Sequence, residues 1–323
     1  MKLSYEQLLP LIHGAVRTEE KDGRICFYRF TEEQSEAYLA RSKDFYNKNF
    51  ATAGVRIEMI TDSPTLSLTV EVLPGGSSRK YFSHSIYENG RRIGSIDAPD
   101  REIPIHSGSF SLSEGEKKIC IYFPWSAISR LVSLELADGA RVEAVRKNKK
   151  LLLFGDSITQ GYDSADPARS YASRLTDTLC AEGINKGIGG ERFFPALATL
   201  RDDFLPNYIT VAYGTNDWSS SAPEVFQTDC RAFYENLRAL YPDVKIFAMR
   251  PLWRPDGDRT TACGSFAEAS AFIPQAVADI PGITVIDCYA FSPVNDNRYV
   301  SDRLHPNDQG FDAFAEHLIP LIS

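Results

Sequence analysis

Leu151-Leu152-Leu153-Phe154-Gly155-Asp156-Ser157-Ile158-Thr159-Gln160-Gly161 decides how the second half of the chain folds. Four apolar residues in a row are too few for a helix, and the glycine that closes them makes a buried strand the natural reading. Gly155 permits a tight turn, which leaves Ser157 at the strand's end. If a short helix begins there, its unpaired N–H groups and dipole favour negative charge developing nearby.

Outward from this stretch, the same rhythm repeats about five times: an apolar run, a glycine-bearing turn, then a longer segment with helical spacing. That alternation predicts a parallel sheet covered by helices. The expected strands are Leu151–Phe154, Gly183–Lys186, Tyr208–Tyr213, Lys245–Met249 and Ile283–Cys288, with helices near Ser170–Glu182, Pro223–Leu240, Phe266–Asp279 and Asn307–Ile322. In the last helix Phe311, Phe314, Ala315, Leu318, Ile319 and Ile322 recur at three- and four-residue spacing, so one face packs on the sheet. In open sheets of this kind ligands bind outside the carboxyl ends of the strands. Chemistry is therefore expected in the residues that directly follow strands.

Upstream, from Arg24 to Arg146, the period drops to two. Leu66-Ser67-Leu68-Thr69-Val70-Glu71-Val72 alternates strictly, Asn89-Gly90 is a hairpin signal, and Pro74-Gly75-Gly76 reads as a loop. This half reads as an antiparallel β-sandwich. The expected division is a sandwich domain over residues 1–147 and a catalytic domain over 148–323, in keeping with a 323-residue chain that is 43% apolar.

A net charge of −8, from 35 basic and 43 acidic residues, and one short basic run (Arg146-Lys147-Asn148-Lys149-Lys150) argue against nucleic acid as a partner. Six scattered cysteines without a C-x-x-C pair suggest neither a disulfide framework nor a zinc site. No apolar run is long enough to cross a bilayer, and Met1–Ala15 lacks a signal-type core, which points to the cytoplasm, or to secretion if a signal peptide has been removed.

A serine hydroxyl is a poor nucleophile near neutral pH and needs a base within hydrogen-bond reach, oriented by a third group. Of five histidines, His13, His84 and His106 fall in the sandwich half and His317 lies on the packed final helix. His305 remains, in Asp302-Arg303-Leu304-His305-Pro306-Asn307, with Pro306 suited to the first position of the final helix and Asp302 near enough to take the imidazole's other N–H. Oxyanion donors are expected from Gly214-Thr215-Asn216-Asp217, where the Asn216 amide offers two N–H groups, and from Asn185-Lys186-Gly187-Ile188-Gly189-Gly190, where a missing Cβ allows close backbone approach.

Gly155-Asp156-Ser157 with Gly161, then Gly190, Gly214-x-Asn216-Asp217 and Asp302-x-x-His305, follow in the order of the sequence blocks of the SGNH (GDSL-type) hydrolases, which this chain resembles over Leu151–Ser323. The resemblance implies a three-layer, flavodoxin-like α/β/α domain with a five-stranded parallel sheet. It makes Ser157 the nucleophile and first oxyanion donor, Gly190 the second donor with Gly189 as its alternative, Asn216 the third, His305 the base and Asp302 its orienter. A β-sandwich ahead of such a domain resembles the family 2 carbohydrate esterases, which implies a jelly-roll-like first domain.

The expected reaction is hydrolysis of a short-chain, O-acetyl-type carbohydrate ester through an acyl-serine, with no metal or organic cofactor. Trp218, Arg250 and Trp253, near the expected mouth, are candidate substrate contacts. A lipase or lysophospholipid acylhydrolase is the alternative, although no exposed apolar lid is evident. A non-catalytic carbohydrate-binding protein on the same scaffold is a second alternative, and a phosphate loop at Gly155–Gly161 ranks last for want of the lysine it needs. The first domain is left with three roles: lending loops to the cleft, binding polysaccharide by itself, or joining copies into a homo-oligomer.

Overall fold

The computed structural model describes residues 1–203, 205–291 and 296–322; Ser323, the last residue of the expected catalytic domain, lies outside them. The strands of the second half are β1 (Lys149–Gly155), β2 (Ala181–Gly187), β3 (Tyr208–Ala212), β4 (Lys245–Met249) and β5 (Ile283–Ile286). All pairings are parallel and the order is β2-β1-β3-β4-β5, the flavodoxin-like arrangement.

Alternation along β1 shows why helices cover both faces. Leu151 and Leu153 enter one cluster with Tyr171 and Leu175 of α1 (Tyr171–Thr178) and with Phe311, Phe314 and Leu318 of α3 (Asp308–Ile322). Leu152 and Phe154 point the other way, against Phe226, Phe233 and Leu237 of α2 (Pro223–Leu240). Each fully buried leucine or phenylalanine contributes about 1.5–3 kcal/mol, so the two layers are held by comparable apolar contacts.

The expected helix over Ser170–Glu182 ends at Thr178, because Ala181 already pairs with Lys149 as β2 opens. The expected Phe266–Asp279 helix is broken at Ala271 into Phe266–Ser270 and Phe272–Val277. Pro306 stands outside α3, bridged to Tyr299, and Asn307 caps the helix by accepting the Gly310 N–H at 3.0 Å.

The first half forms two antiparallel sheets. One runs Ile12–His13, Arg56–Thr61, Lys117–Tyr122, Phe82–Glu88, Arg91–Ala98, with Val142–Ala144 also on Arg56–Thr61; the other runs Arg17–Lys21, Arg24–Tyr28, Ile128–Leu136, Thr65–Leu73, Ile105–Ser111. They share one core, in which Leu66, Leu68, Val70 and Val72 from one sheet meet Ile57, Met59, Ile119 and Ile121 from the other. Asn89 (φ 50°) and Gly90 (φ 79°) form the hairpin between Phe82–Glu88 and Arg91–Ala98, both left-handed as a tight two-residue turn requires.

Two helices, Glu32–Arg41 and Lys43–Lys48, interrupt this strand-rich half. Phe30 and the fully buried Tyr38 join the cluster beneath β1 and β3. Polar contacts reinforce the junction. Arg29, fully buried, donates to the carbonyls of Asn185 (2.5 Å) and Gly187 (3.0 Å) in β2, and Arg56 donates to that of Ala181 at 3.0 Å. His13 Nδ1 meets Glu182 at 2.5 Å.

Candidate active site

Gly155 closes β1 for lack of space. A Cβ there would stand 2.0 Å from Thr159 Oγ1 and 2.9 Å from the Ala212 carbonyl oxygen. The chain then enters a one-turn helix, Ser157–Gln160, capped by the Asp156 carboxylate on the Ile158 N–H at 2.9 Å and ended by Gly161 at φ 105°. Positive φ explains Gly161, whereas close contact explains Gly155.

Ser157 Oγ lies 2.7 Å from His305 Nε2, and His305 Nδ1 lies 2.6 Å from Asp302 Oδ2. With its proton on Nδ1 donated to Asp302, the imidazole leaves Nε2 to accept the serine hydroxyl. Asp302 Oδ1 also accepts the backbone N–H groups of Leu304 (2.9 Å) and His305 (3.0 Å), so the carboxylate is fixed by its own loop. Burial opposes ionisation of Asp302, yet the hydrogen bond and charge of His305, with those two N–H groups, hold it well below the usual carboxylate range.

The other two loops converge through named hydrogen bonds. Gln160 Oε1 accepts the Gly189 N–H at 2.7 Å, and a Cβ on Gly189 would collide with the Tyr162 hydroxyl at 2.3 Å. Gly189 is thus committed to packing. Gly190, at φ 86°, is exposed, and its N–H has no partner among the described residues. Asn216 Nδ2 donates to the Glu191 carbonyl at 2.9 Å, which ties the third loop to the second and leaves one amide hydrogen rather than two. Asp217 accepts the N–H groups of Gly214 and Phe193, both at 3.2 Å. Burial raises its carboxyl to about 7 and that of Asp156 to about 6.

The substrate contacts expected from sequence fare differently. Trp218 is fully buried, its Nε1 donating to the Gly264 carbonyl at 3.0 Å and its ring lying under the guanidinium groups of Arg254 and Arg259. No face is left for a sugar ring, which corrects that expectation: a tryptophan beside a strand end served the core. Arg250 braces Asp287 and the Ser270 hydroxyl, each at 2.7 Å. Trp253 is half-buried, edge-on to Tyr299 in the segment that leads to His305.

Sequence reasoning missed the contribution of the sandwich. Arg79, in the loop between Thr65–Leu73 and Phe82–Glu88, donates Nε to Asp163 Oδ1 (2.7 Å) and Nη2 to both Asp163 Oδ2 (2.5 Å) and Asp302 Oδ2 (2.7 Å). The ring of Tyr162 stacks on His305 at 5.2 Å and is backed by Trp125 at 4.7 Å. Gln160 Nε2 donates to the carbonyls of Gly76 (2.9 Å) and Trp125 (2.8 Å). No motif marks these sandwich residues; their only sequence signal is the Pro74-Gly75-Gly76 turn that precedes Arg79. The remaining histidines are apart from the relay: His84 is buried on Ser129, its burial pulling it down to about 3, and His317 bonds back to the Ala313 carbonyl within α3.

A flavodoxin-like sheet with serine, histidine and aspartate in one hydrogen-bonded series at its carboxyl edge defines the class of α/β acylhydrolases. Residues 153–313 match the sequence profile of the GDSL-like lipase/acylhydrolase family, and through this segment the chain belongs to it. A comparison with curated proteins finds no match. Among solved structures, the chain is similar to the salicylyl-acyltransferase SsfX3 from a tetracycline biosynthetic pathway (TM-score 0.80, 20% identity, covering 94% of this chain and 91% of that one). It is also similar to a protein described as a GDSL-like lipase from Bacteroides ovatus (TM-score 0.80, 19% identity, 99% and 96%). A third likeness is a family two carbohydrate esterase from Clostridium thermocellum in complex with cellohexaose (TM-score 0.68, 15% identity, 96% and 97%). At these identities the likeness is one of fold, and it extends over both halves of the chain. Among the described residues no helix is long and apolar enough to cross a membrane.

Proposed function

We propose that this protein is a serine esterase that removes short acyl groups, acetyl foremost, from a carbohydrate ester. The observation that carries this reading is the pair of short contacts from Ser157 Oγ to His305 Nε2 and from His305 Nδ1 to Asp302. Ser157 attacks the ester carbonyl while His305 takes the hydroxyl proton. The tetrahedral oxyanion is held by the N–H groups of Ser157 and Gly190 and by the remaining Asn216 amide hydrogen. His305 returns its proton to the departing sugar oxygen, and water then releases the acyl group from Ser157 by the same route in reverse.

Two features support a small acyl group on a sugar. The Phe45 ring lies 3.7 Å from where a Cβ on Gly190 would stand, walling the space beside that donor. The family two carbohydrate esterase complexed with cellohexaose shares the two-part architecture. We also take residues 1–147 and 148–323 as the two domains, since Val142–Ala144 still pairs within the sandwich and Lys149 opens β1.

Labelling with a fluorophosphonate, followed by peptide mapping, tests the nucleophile: modification is expected at Ser157 and nowhere else. Turnover of p-nitrophenyl acetate, a long-chain p-nitrophenyl ester and an O-acetylated oligosaccharide then tests the substrate class. A marked preference for the long chain would replace the carbohydrate reading with a lipase-type one. Absence of labelling together with retained sugar binding would leave only a binding protein.

A further inference from the structure

The imidazole of His305 faces two carboxylates where the reaction needs one. Asp302 Oδ2 is 2.6 Å from Nδ1, and Asp163 Oδ2 is 3.4 Å from the same atom. Nδ1 has one proton to give. Asp163 is an unfavourable place for a bare charge, because its side chain is only 8% exposed. Arg79 resolves the competition by taking Asp163 with two nitrogens and reaching Asp302 with one of them.

We propose that Arg79, supplied by the sandwich, is a positioning residue for His305: it neutralises Asp163 and holds Asp302 as the single acceptor of the Nδ1 proton. Two carboxylates and one guanidinium leave one net negative charge beside Nδ1, the value a lone Asp302 would provide. The inference rests on the reading of Ser157 and His305 as nucleophile and base, and it assigns the sandwich a part in that site.

Among the described residues, the groups that face His305 are few. From its own loop comes Asp302. From the segment after Gly161 come the Tyr162 ring and Asp163. The nucleophile turn contributes Ser157, with the buried Asp156 charge beneath it, and the sandwich contributes Arg79 together with Tyr81, whose hydroxyl donates to Asp163 at 3.3 Å. Asp308 is turned away, accepting the Ser164 hydroxyl and the Ala165 N–H, and Arg303 reaches the Pro255 carbonyl.

The charge balance predicts opposite displacements in two single variants. Arg79→Ala leaves a second negative charge beside the ring and stabilises the imidazolium, so the acid limb of kcat/KM moves up by about one pH unit. Asp163→Asn leaves Arg79 facing a single carboxylate, and the limb moves down by about as much. The double variant Arg79→Ala/Asp163→Asn restores one net negative charge and brings the limb most of the way back. Titrating His305 by NMR in histidine-labelled protein should give the same order without relying on turnover. Acid limbs and imidazole titrations unmoved in both single variants, or a double variant displaced by the sum of two like-signed shifts, would overturn the assignment. Failure of the fluorophosphonate to label wild-type Ser157 would remove the hydrolase reading instead, while the imidazole titration would still decide the pairing.

Discussion

The loops that leave β1, β2 and β3 are joined to one another and to the Pro74–Tyr81 loop of the sandwich by hydrogen bonds, yet the two sets are built on different physical grounds. The first set hangs from adjacent parallel strands whose register forces their ends together, and each loop carries residues tied to a local demand: Gly155 for space, Gly161 and Gly190 for positive φ. The sandwich loop has no such register with the catalytic sheet. It arrives because Gln160 holds the Gly76 and Trp125 carbonyls and because Arg79 finds two carboxylates. The place of His305 can thus be read from its own neighbours in sequence, whereas its contact with Arg79, the positioning residue we propose, depends on a surface more than two hundred residues away in the chain.

The largest expected effect falls on the first set. Ser157→Ala should lower kcat by about four to six orders of magnitude, measured by single-turnover hydrolysis of an activated acetate ester, with the melting temperature little changed. Next, Asn216→Ala should cost about 3 kcal/mol of barrier, or roughly a hundredfold in kcat, with a small change in KM; a larger KM effect would mean that Asn216 binds ground state and transition state alike.

Gln160→Ala probes the seam between the two regions. It strands the buried Gly76 and Trp125 carbonyls and the Gly189 N–H, so a loss of about 1–3 kcal/mol in denaturant unfolding is expected, along with reduced kcat as the nucleophile turn loosens. Loss of stability with kcat intact would show that the sandwich is attached to the site without organising it.

The smallest expected effect concerns the buried Asp217. Its folded carboxyl titrates at about 7, above the ordinary 3.8. The neutral form is therefore favoured by folding, and that contribution is complete below pH 4 and fades as pH rises through 7. Asp217→Asn forfeits one acceptor at every pH but has no charge to bury, so its melting temperature relative to wild type should improve from pH 5 to pH 8. A difference that stayed constant over this range would mean that the carboxyl is ionised throughout.

How far the site was legible follows from particular residues. Ser157 and Asn216 could be placed just beyond β1 and β3, and Asp302 and His305 in the loop ahead of α3, because hydrophobic period and turn chemistry fix such positions to within a few residues. The choice between Gly189 and Gly190 was not legible, since it depends on the Tyr162 hydroxyl filling the space beside one of them. Trp218 misled because an aromatic next to a strand end serves a cleft or a core equally well. Only packing against Phe266 and Arg254 separates the two.

The sequence by itself determined the layered parallel sheet, the sandwich ahead of it and the order in which Ser157, Gly190, Asn216 and His305 follow the strands, because periods of two and 3.6 and strand-end glycines are local properties. Only the tertiary structure decided which glycine has no N–H partner among the described residues, that Trp218 belongs to the core, and that Arg79 and Asp163 stand behind His305. Those outcomes depend on which atoms from distant segments occupy the same few ångströms, and no local rule in the chain encodes that.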